Sequence, residues 1–476
     1  MNWGVDVVVK GRYYLLGDQL IIQGNLVEAG SNQVIHALDR VEGPKGRLAE
    51  LLKSLTQEIL GYWAVKDVSG IADSPPKYEA YQVWAEASTH ELTDPPKCAS
   101  LLQEAYRLDT TFYVPLFSLY TLYGKEGLRG TQDSILAELG RRVSSLSPWE
   151  RLRFDELNAI RERDWQTLAK RAEQRYEQDS SDLQALNTAI VANNYINHPR
   201  KSLELLKSFD LVYLSRGQRE LSWLETNLIF PNFQLENYHV VDSVAETYPG
   251  RKIPDALAVM HLKSLAHLDS IAKLDRYLAH YESEGLYNNS GSETPFYTGL
   301  IMLSDELYMM GKQDLLEDYV ARLQDLSPRA VSRPKYVEGF IQFYRRDFSA
   351  AAQSWENEKI DPLEWPGWLR LTLQYDHLSR MGHSYALAGN PAQAQACMDK
   401  MAQLPESQGR DKAYFDYYRA RIWAAMSEPE KAIRSLELAA KGGFFFYGPV
   451  RYASDPFLKP LFEEAAFKAL IKPQDL

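Results

Sequence analysis

The chain of 476 residues offers few side chains that could do chemistry in a recognisable pattern. Its nine histidines are scattered and no H-E-x-x-H occurs, so that zinc-ligand pair, two histidines one helical turn apart, is absent from the sequence. His261 and His267 share one helical stretch with Asp269 close by, and His280 follows. Spacings of six and thirteen do not bring them to one helical face, and no acidic partner is fixed by the sequence. They read as surface or helix-packing histidines. Gly124-Lys125-Glu126-Gly127 and Gly442-Gly443 lack the spacing of a phosphate-cradling loop. Gly442-Gly443 reads as a helix stop, since glycine accepts the left-handed end position. Asp347-Phe348-Ser349 is close to one kinase signature, but its H-R-D partner is missing. Cys98 and Cys397 cannot build a thiolate zinc site or a disulfide framework, and both fall at helix positions that want small buried side chains. No catalytic, metal or cofactor site is therefore expected.

Two clusters could instead bind. Asn187, Asn193, Asn194 and Asn197 lie close together on one expected helix pair. Side-chain amides there, above all Asn187, Asn193 and Asn194, could clamp the backbone or carboxylate of a peptide. The alternative use of the same residues is helix capping and solvated surface. Tyr113, Phe117, Tyr120 and Tyr123 recur at steps of three and four on one face. Packing between helices is the expected use of that stripe, with an exposed aromatic platform as the alternative.

The elements that must position these residues fall into two regions. Asp6 to Leu16, Leu20 to Ala29 and Val34 to Val41 are rich in β-branched and aromatic residues. Gly17-Asp18 and Gly30-Ser31-Asn32 lie between them as hairpin turns, which predicts a three-stranded antiparallel meander. Three short strands need a cover. Leu48, Leu51, Leu52, Leu55, Ile59 and Trp63 make one apolar stripe on a helix from Gly46 to Ala64. Residues 67–77 carry Gly70, Ser74, Pro75 and Pro76 and read as a linker. The expected organisation is residues 1–66 as strands plus helix, 67–77 as linker and 78–476 as a helical array.

From Tyr78 onward the period is helical, and self-similarity appears at the roughly 34-residue spacing of tetratricopeptide helix pairs. Gly382 and Tyr385, the turn Gly389-Asn390-Pro391, then Ala394, Met398 and Pro405 make the best copy. Small residues at 382 and 394 let two helices approach. Ala420, Trp423, Pro429 and Ala432 make a second. Gly339 with Asp347, Ala351 and Trp355 is another, and so is Gly311 with Leu316, Val320 and Pro328. Asn197, Ser202 and Leu206 continue the series upstream. Asp164, Leu168 and Ala172 form a further copy, and Tyr81, Cys98, Leu102 and Ala105 the earliest. Leu211 to Tyr287 is helical in pattern without placeable repeats, with Phe230-Pro231 and Gly250 as expected breaks. The fold class predicted is mostly α: a right-handed tetratricopeptide-type α-solenoid after a small antiparallel β segment and helix. Such an array is stabilised by stacking and leaves a long concave surface.

Gly4 to Gly11, Gly17-Asp18-Gln19-Leu20-Ile21-Ile22 and Leu26-Val27-Glu28-Ala29 resemble the end of the TolB-like amino-terminal module of bacterial signalling proteins. In that family the module precedes tetratricopeptide arrays. Ala439 to Gly443, Asp455 to Leu461 and Phe467 to Leu470 resemble the closing segment of those arrays. The resemblance implies a sensory or protein-interaction region that binds a protein or peptide, without catalysis of its own. It also implies a first half of the module ahead of Met1 and an output domain further upstream. The alternative reading is thus the regulatory tail of a longer membrane-anchored serine/threonine kinase, a cyclase, or a winged-helix regulator.

Composition limits the partners. Lys and Arg number 53 against 64 Asp and Glu, a net charge of -11, which argues against a nucleic-acid binder lacking a basic face. No apolar run, including Phe444 to Tyr447, approaches the roughly 20 residues of a membrane span. No basic and apolar leader opens the chain. The expected location is cytoplasmic as written, or periplasmic if a membrane span lies upstream.

Overall fold

The computed structural model describes residues 6–65, 75–91, 93–126, 128–208, 222–246, 255–283, 297–326, 334–358, 367–404, 411–442 and 452–475. The expected breaks at Gly250, Pro328 and Pro405, the opening Gly4-Val5 of the TolB-like segment, the linker over 67–74 and the run Gly443 to Tyr447 lie outside them.

The sheet has four strands, β1 (Val7–Leu16), β2 (Gln19–Glu28), β3 (Val34–Ala37) and β4 (Val41–Pro44). β1 pairs antiparallel with β2 from Val7 against Glu28 to Leu16 against Gln19. Gly17 takes φ +61° at the first position of the two-residue turn, which is where glycine is required in a type II′ hairpin. The expected third strand is interrupted. β3 and β4 pair with opposite ends of β2, and between them the Leu38 N–H bonds to the Gly24 carbonyl while Leu38 is buried. A side chain on Gly24 would meet Leu38 at 3.1 Å, so the glycine makes room for that inward leucine.

Helix α1 (Leu48–Val65) covers β2 and β4. Leu51 closes on Gly43 of β4, at 3.0 Å from where its Cβ would stand. The apolar stripe expected on this helix is only partly covered. Leu51 is buried, whereas Leu48, Leu52 and Trp63 are 45%, 47% and 40% exposed.

All further described elements are helical. They run as α2 (Tyr78–His90) with α3 (Pro95–Leu108), α4 (Val114–Lys125) with α5 (Arg129–Arg141), α6 (Pro148–Glu162) with α7 (Trp165–Gln178), and α8 (Leu183–Tyr195) with α9 (Pro199–Ser208). Then come α10 (Ser222–Gln234) with α11 (Tyr238–Glu246), α12 (Asp255–His267) with α13 (Ile271–Ser283), and α14 (Tyr297–Met310) with α15 (Gln313–Leu326). The last pairs are α16 (Pro334–Tyr344) with α17 (Phe348–Glu356), α18 (Gly367–Leu387) with α19 (Pro391–Ala402), and α20 (Asp411–Ala425) with α21 (Pro429–Lys441). A 3-10 turn, Pro456–Leu461, and α22 (Ala465–Ile471) close the chain.

The same turn joins eight of these pairs. One residue takes a left-handed φ between 52° and 79°: Arg163, Asn197, Glu236, Asp269, Gly311, Arg346, Gly389 and Ser427. The next N–H reaches back five residues, as in Asp164 to Ala159, Asp347 to Gln342 and Glu428 to Trp423. This closes the first helix with its own carbonyl and turns the chain into the second. The interval between these positions runs from 33 residues (Glu236 to Asp269) to 43 (Arg346 to Gly389). Pro231 does not break the chain, contrary to the sequence reading. It sits inside α10, which runs on to Gln234, and the break comes at Glu236. A proline costs one backbone bond and a local bend, which a packed helix can absorb.

Crossings are close where glycine was expected. A Cβ on Gly339 would meet Trp355 Nε1 at 2.3 Å, and one on Gly382 would meet Ile422 Cδ1 at 2.5 Å and Cys397 Cβ at 3.0 Å. Ala351, Ala394 and Ala432 on the facing helices are fully buried.

The chain divides into two compact units. One holds the residues up to Asn158 with Gln174–Leu183. The other holds Ala159–Glu173 with the residues from Gln184 onward, and contains all eight turns. In this second unit α10, α12, α14 and α16 pack one on the next, and α18 packs on α20, so the first helices of neighbouring pairs lie together in these two runs.

Candidate functional site

The amide cluster is only partly available. Asn193 is buried, and its Nδ2 donates to Glu173 Oε1 at 2.7 Å and to the Ala189 carbonyl at 2.9 Å. Asn187 Oδ1 accepts from Asn227 Nδ2 at 2.7 Å. Asn197 takes the left-handed turn position, and its Nδ2 donates to the Lys472 carbonyl at 2.6 Å. These three tie helices and turns together. Asn194 differs: its Oδ1 is buried and accepts no bond among the described residues. Three of the four lie on α8 and Asn197 in the turn after it; the sequence could not show which were engaged, because Glu173, Asn227 and Lys472 lie far along the chain.

Tyr113, Phe117 and Tyr120 are buried and Tyr123 is half-buried, so this stripe packs as expected rather than forming a platform. Cys98 and Cys397 are buried free thiols. Burial pushes the Cys397 thiol up to about 11, which keeps it protonated and unreactive at neutral pH.

His261 and His267 pack between helices, and each has an acidic partner that the sequence did not fix. His261 is fully buried, with Nε2 at 2.9 Å from Asp242 Oδ1 and Nδ1 at 2.7 Å from Tyr281 Oη. Asp242 also accepts from Lys273 Nζ. His267 lies 2.8 Å from Glu306 Oε1, and Lys263 Nζ lies 3.0 Å from Glu306 Oε2. Burial would raise the Glu306 carboxyl, but Lys263 and His267 outweigh it and hold the group down at about 2. Tyr238 stacks on His267 at 4.2 Å. A window of one helix cannot reveal such pairs, since Asp242 and Glu306 sit on α11 and α14.

A second polar cluster was missed altogether. On α20, Arg421 Nε donates to Asp455 Oδ2 and Nη1 to Asp376 Oδ1, each at 2.7 Å. On α18, Arg380 Nε donates to Asp376 Oδ2 at 2.7 Å. Tyr417 Oη donates to Asp455. The guanidinium of Arg380 lies 4.4 Å from the Phe340 ring and 4.9 Å from Phe457, and that of Arg421 lies 5.0 Å from Phe457. Burial works against both arginine charges, yet the surrounding carboxylates raise both groups further. His383 is buried beside them, and its Nδ1–H donates to the Arg421 carbonyl at 2.8 Å. Burial pushes its imidazole down to about 4, so it is neutral at pH 7.

Asp455 and Phe457 belong to the closing segment. Phe457, Leu458 and Leu461 are buried against first helices, with Phe457 at 4.7 Å from Phe343 and 4.9 Å from His383. Asp455 also accepts from the Phe457 N–H and so caps the 3-10 turn. Further on, the Gln474 N–H bonds to the Asn197 carbonyl, and Asp475 accepts from the Lys201 N–H at 2.9 Å. Within this unit the end of the chain is therefore held by the turn between α8 and α9.

The other unit carries one comparable cluster. Arg175 is fully buried; its Nε donates to Glu156 Oε1 at 2.7 Å and its Nη1 to Asp182 Oδ2 at 2.9 Å. Trp149 Nε1 donates to the same Asp182 oxygen at 2.9 Å. Each charge is matched, so the cluster reads as an internal fastener.

Among the described residues no group of three or more His, Cys, Asp or Glu side chains is placed to hold a metal ion. No described helix is long and apolar enough to cross a membrane. No family model matches this chain, and no curated protein matches it.

Proposed function

We propose that this chain is a non-catalytic protein-interaction scaffold of a bacterial signalling regulator. In this reading the helix pairs form a tetratricopeptide-type solenoid whose concave side, lined by first helices, takes an extended protein segment or peptide. The recurrence of one left-handed turn at eight places, 33 to 43 residues apart, carries the reading. A chain built of repeated pairs buries its apolar faces between neighbours and leaves a continuous layer of first helices to bind.

The closing segment supplies the chemistry of such binding in miniature. An aspartate meets a buried arginine, and a phenylalanine enters an aromatic slot, both against first helices. Asn194 is half-buried and its Oδ1 accepts no bond among the described residues, so a turn of its side chain would let it take a bond from a bound backbone N–H. The test is selection of a random peptide library on the immobilised full chain. Enriched peptides whose affinity drops about tenfold with Asn194→Ala are expected, equivalent to roughly 1.4 kcal/mol. Enrichment no greater than on an unrelated helical protein overturns the proposal.

A further inference from the structure

We infer that β1 is a docking edge for a β-strand of another polypeptide, one that is acidic on one face and apolar on the other. This surface is separate in kind from the layer of first helices.

Among the described residues β1 pairs with β2 alone, and no described strand lies on its other edge. The Ala29 N–H to Asp6 carbonyl bond sets the phase of the ladder. In an antiparallel pair, residues alternate between bonding the partner and facing away. Even-numbered residues of β1 thus bond β2, while Val7, Val9, Gly11, Tyr13 and Leu15 direct their N–H and C=O groups outward. Such a row is a ready template for a further strand.

The side chains say what kind of strand. Gly43 pairs with Leu20 and meets Leu51 of α1, so the helix covers the face that Leu20 shares with Val9, Tyr13 and Leu15. That cover does not extend over β1: Val9, Tyr13 and Leu15 are 50%, 73% and 58% exposed. An incoming strand with apolar side chains on this face would bury that row. On the opposite face Lys10 and Arg12 stand side by side, followed by the exposed Tyr14 and Leu16, in a chain whose net charge is -11. Arg12 is exposed and makes no ion pair among the described residues. Acidic side chains of the incoming strand would lie beside them, as favoured cross-strand pairs. A second copy of β1 fits poorly, because antiparallel pairing about Gly11 would set Lys10 against Arg12, like against like.

The experiment uses the full chain and two fluorescein-labelled ten-residue peptides, one alternating glutamate with valine and one alternating lysine with valine. Fluorescence anisotropy should show the glutamate peptide binding at least tenfold tighter. Val9→Pro removes an outward N–H without touching the β2 ladder, and should abolish binding with an unchanged melting temperature. Arg12→Glu changes only an exposed side chain and, with Lys10 left beside it, should erase the peptide preference, which keeps the test decisive if Val9→Pro lowers the melting temperature. Equal binding of both peptides by the parent chain, or full binding of the glutamate peptide by Arg12→Glu, overturns the inference. So does a concentration-dependent dimer that Val9→Pro abolishes, since a second copy would then occupy the edge.

Discussion

His383 shows how one buried side chain shapes the response of the molecule to acid. Burial, helped by two nearby guanidinium groups, disfavours a charge on its ring and outweighs the Arg421 carbonyl to which its Nδ1–H donates. The folded group titrates at about 4 against 6.5 when unfolded. The unfolded chain binds more protons in that interval, so stability falls as pH drops from about 6.5 to 4. The full difference is about 3 kcal/mol. Asp305, pushed up to about 6 chiefly by burial, acts in the opposite sense over an overlapping interval. The comparison with a variant isolates the histidine. His383→Gln should melt lower than the parent at pH 7 and narrow that gap by pH 4, as followed by thermal denaturation across the range. A constant gap would show that burial does not depress the His383 imidazole. At the same scale, the amides show what a list of residues leaves out. Asn193 and Asn194 are neighbours in sequence, yet one is spent inside the fold and the other keeps an unmatched oxygen.

The helix pair is the unit in which the sequence was most legible. Gly382, Ala394, Gly339 and Ala351 marked close crossings because no larger side chain fits where two backbones approach. Gly339→Ala should lower stability by about 1–3 kcal/mol through overpacking against Trp355, offset in part by better helix propensity. Urea denaturation checks this, and an unchanged midpoint would show that Trp355 moves freely. The turns were less legible, because only two of the eight left-handed positions are glycine. Arg163, Glu236 and Arg346 adopt a conformation that costs an L-residue roughly 1–2 kcal/mol, and nothing in their type announces it. Glu236→Gly should therefore stabilise by about 1 kcal/mol, less the entropy that glycine adds to the unfolded chain. A lowered melting temperature would contradict the relief of strain. The third strand failed as a single run for a related reason: Leu38 turns inward over Gly24, a tertiary choice invisible to alternation.

For the molecule as a whole, the closing segment joins parts far apart in sequence. Asp455 neutralises Arg421 of α20, and Phe457 packs on α16 and α18 residues. Asp455→Ala would leave a buried arginine with one carboxylate fewer and a buried tyrosine hydroxyl without its acceptor. The expected loss is about 3–5 kcal/mol, with faster hydrogen exchange in α18 and α20. A loss below 1 kcal/mol would show the segment to be loosely held. The sequence by itself determined that a short antiparallel sheet comes first, that helices in pairs follow, and where the small residues sit at their crossings. These are local properties, set by periodicity and side-chain volume. Only the tertiary structure decided which polar groups meet. Glu306 with Lys263 and His267, Arg421 with Asp376 and Asp455, and Asn197 with Lys472 join residues that are tens or hundreds of positions apart. Their pairing depends on how helices stack, and stacking free energy comes from the whole buried surface rather than from any window of the chain.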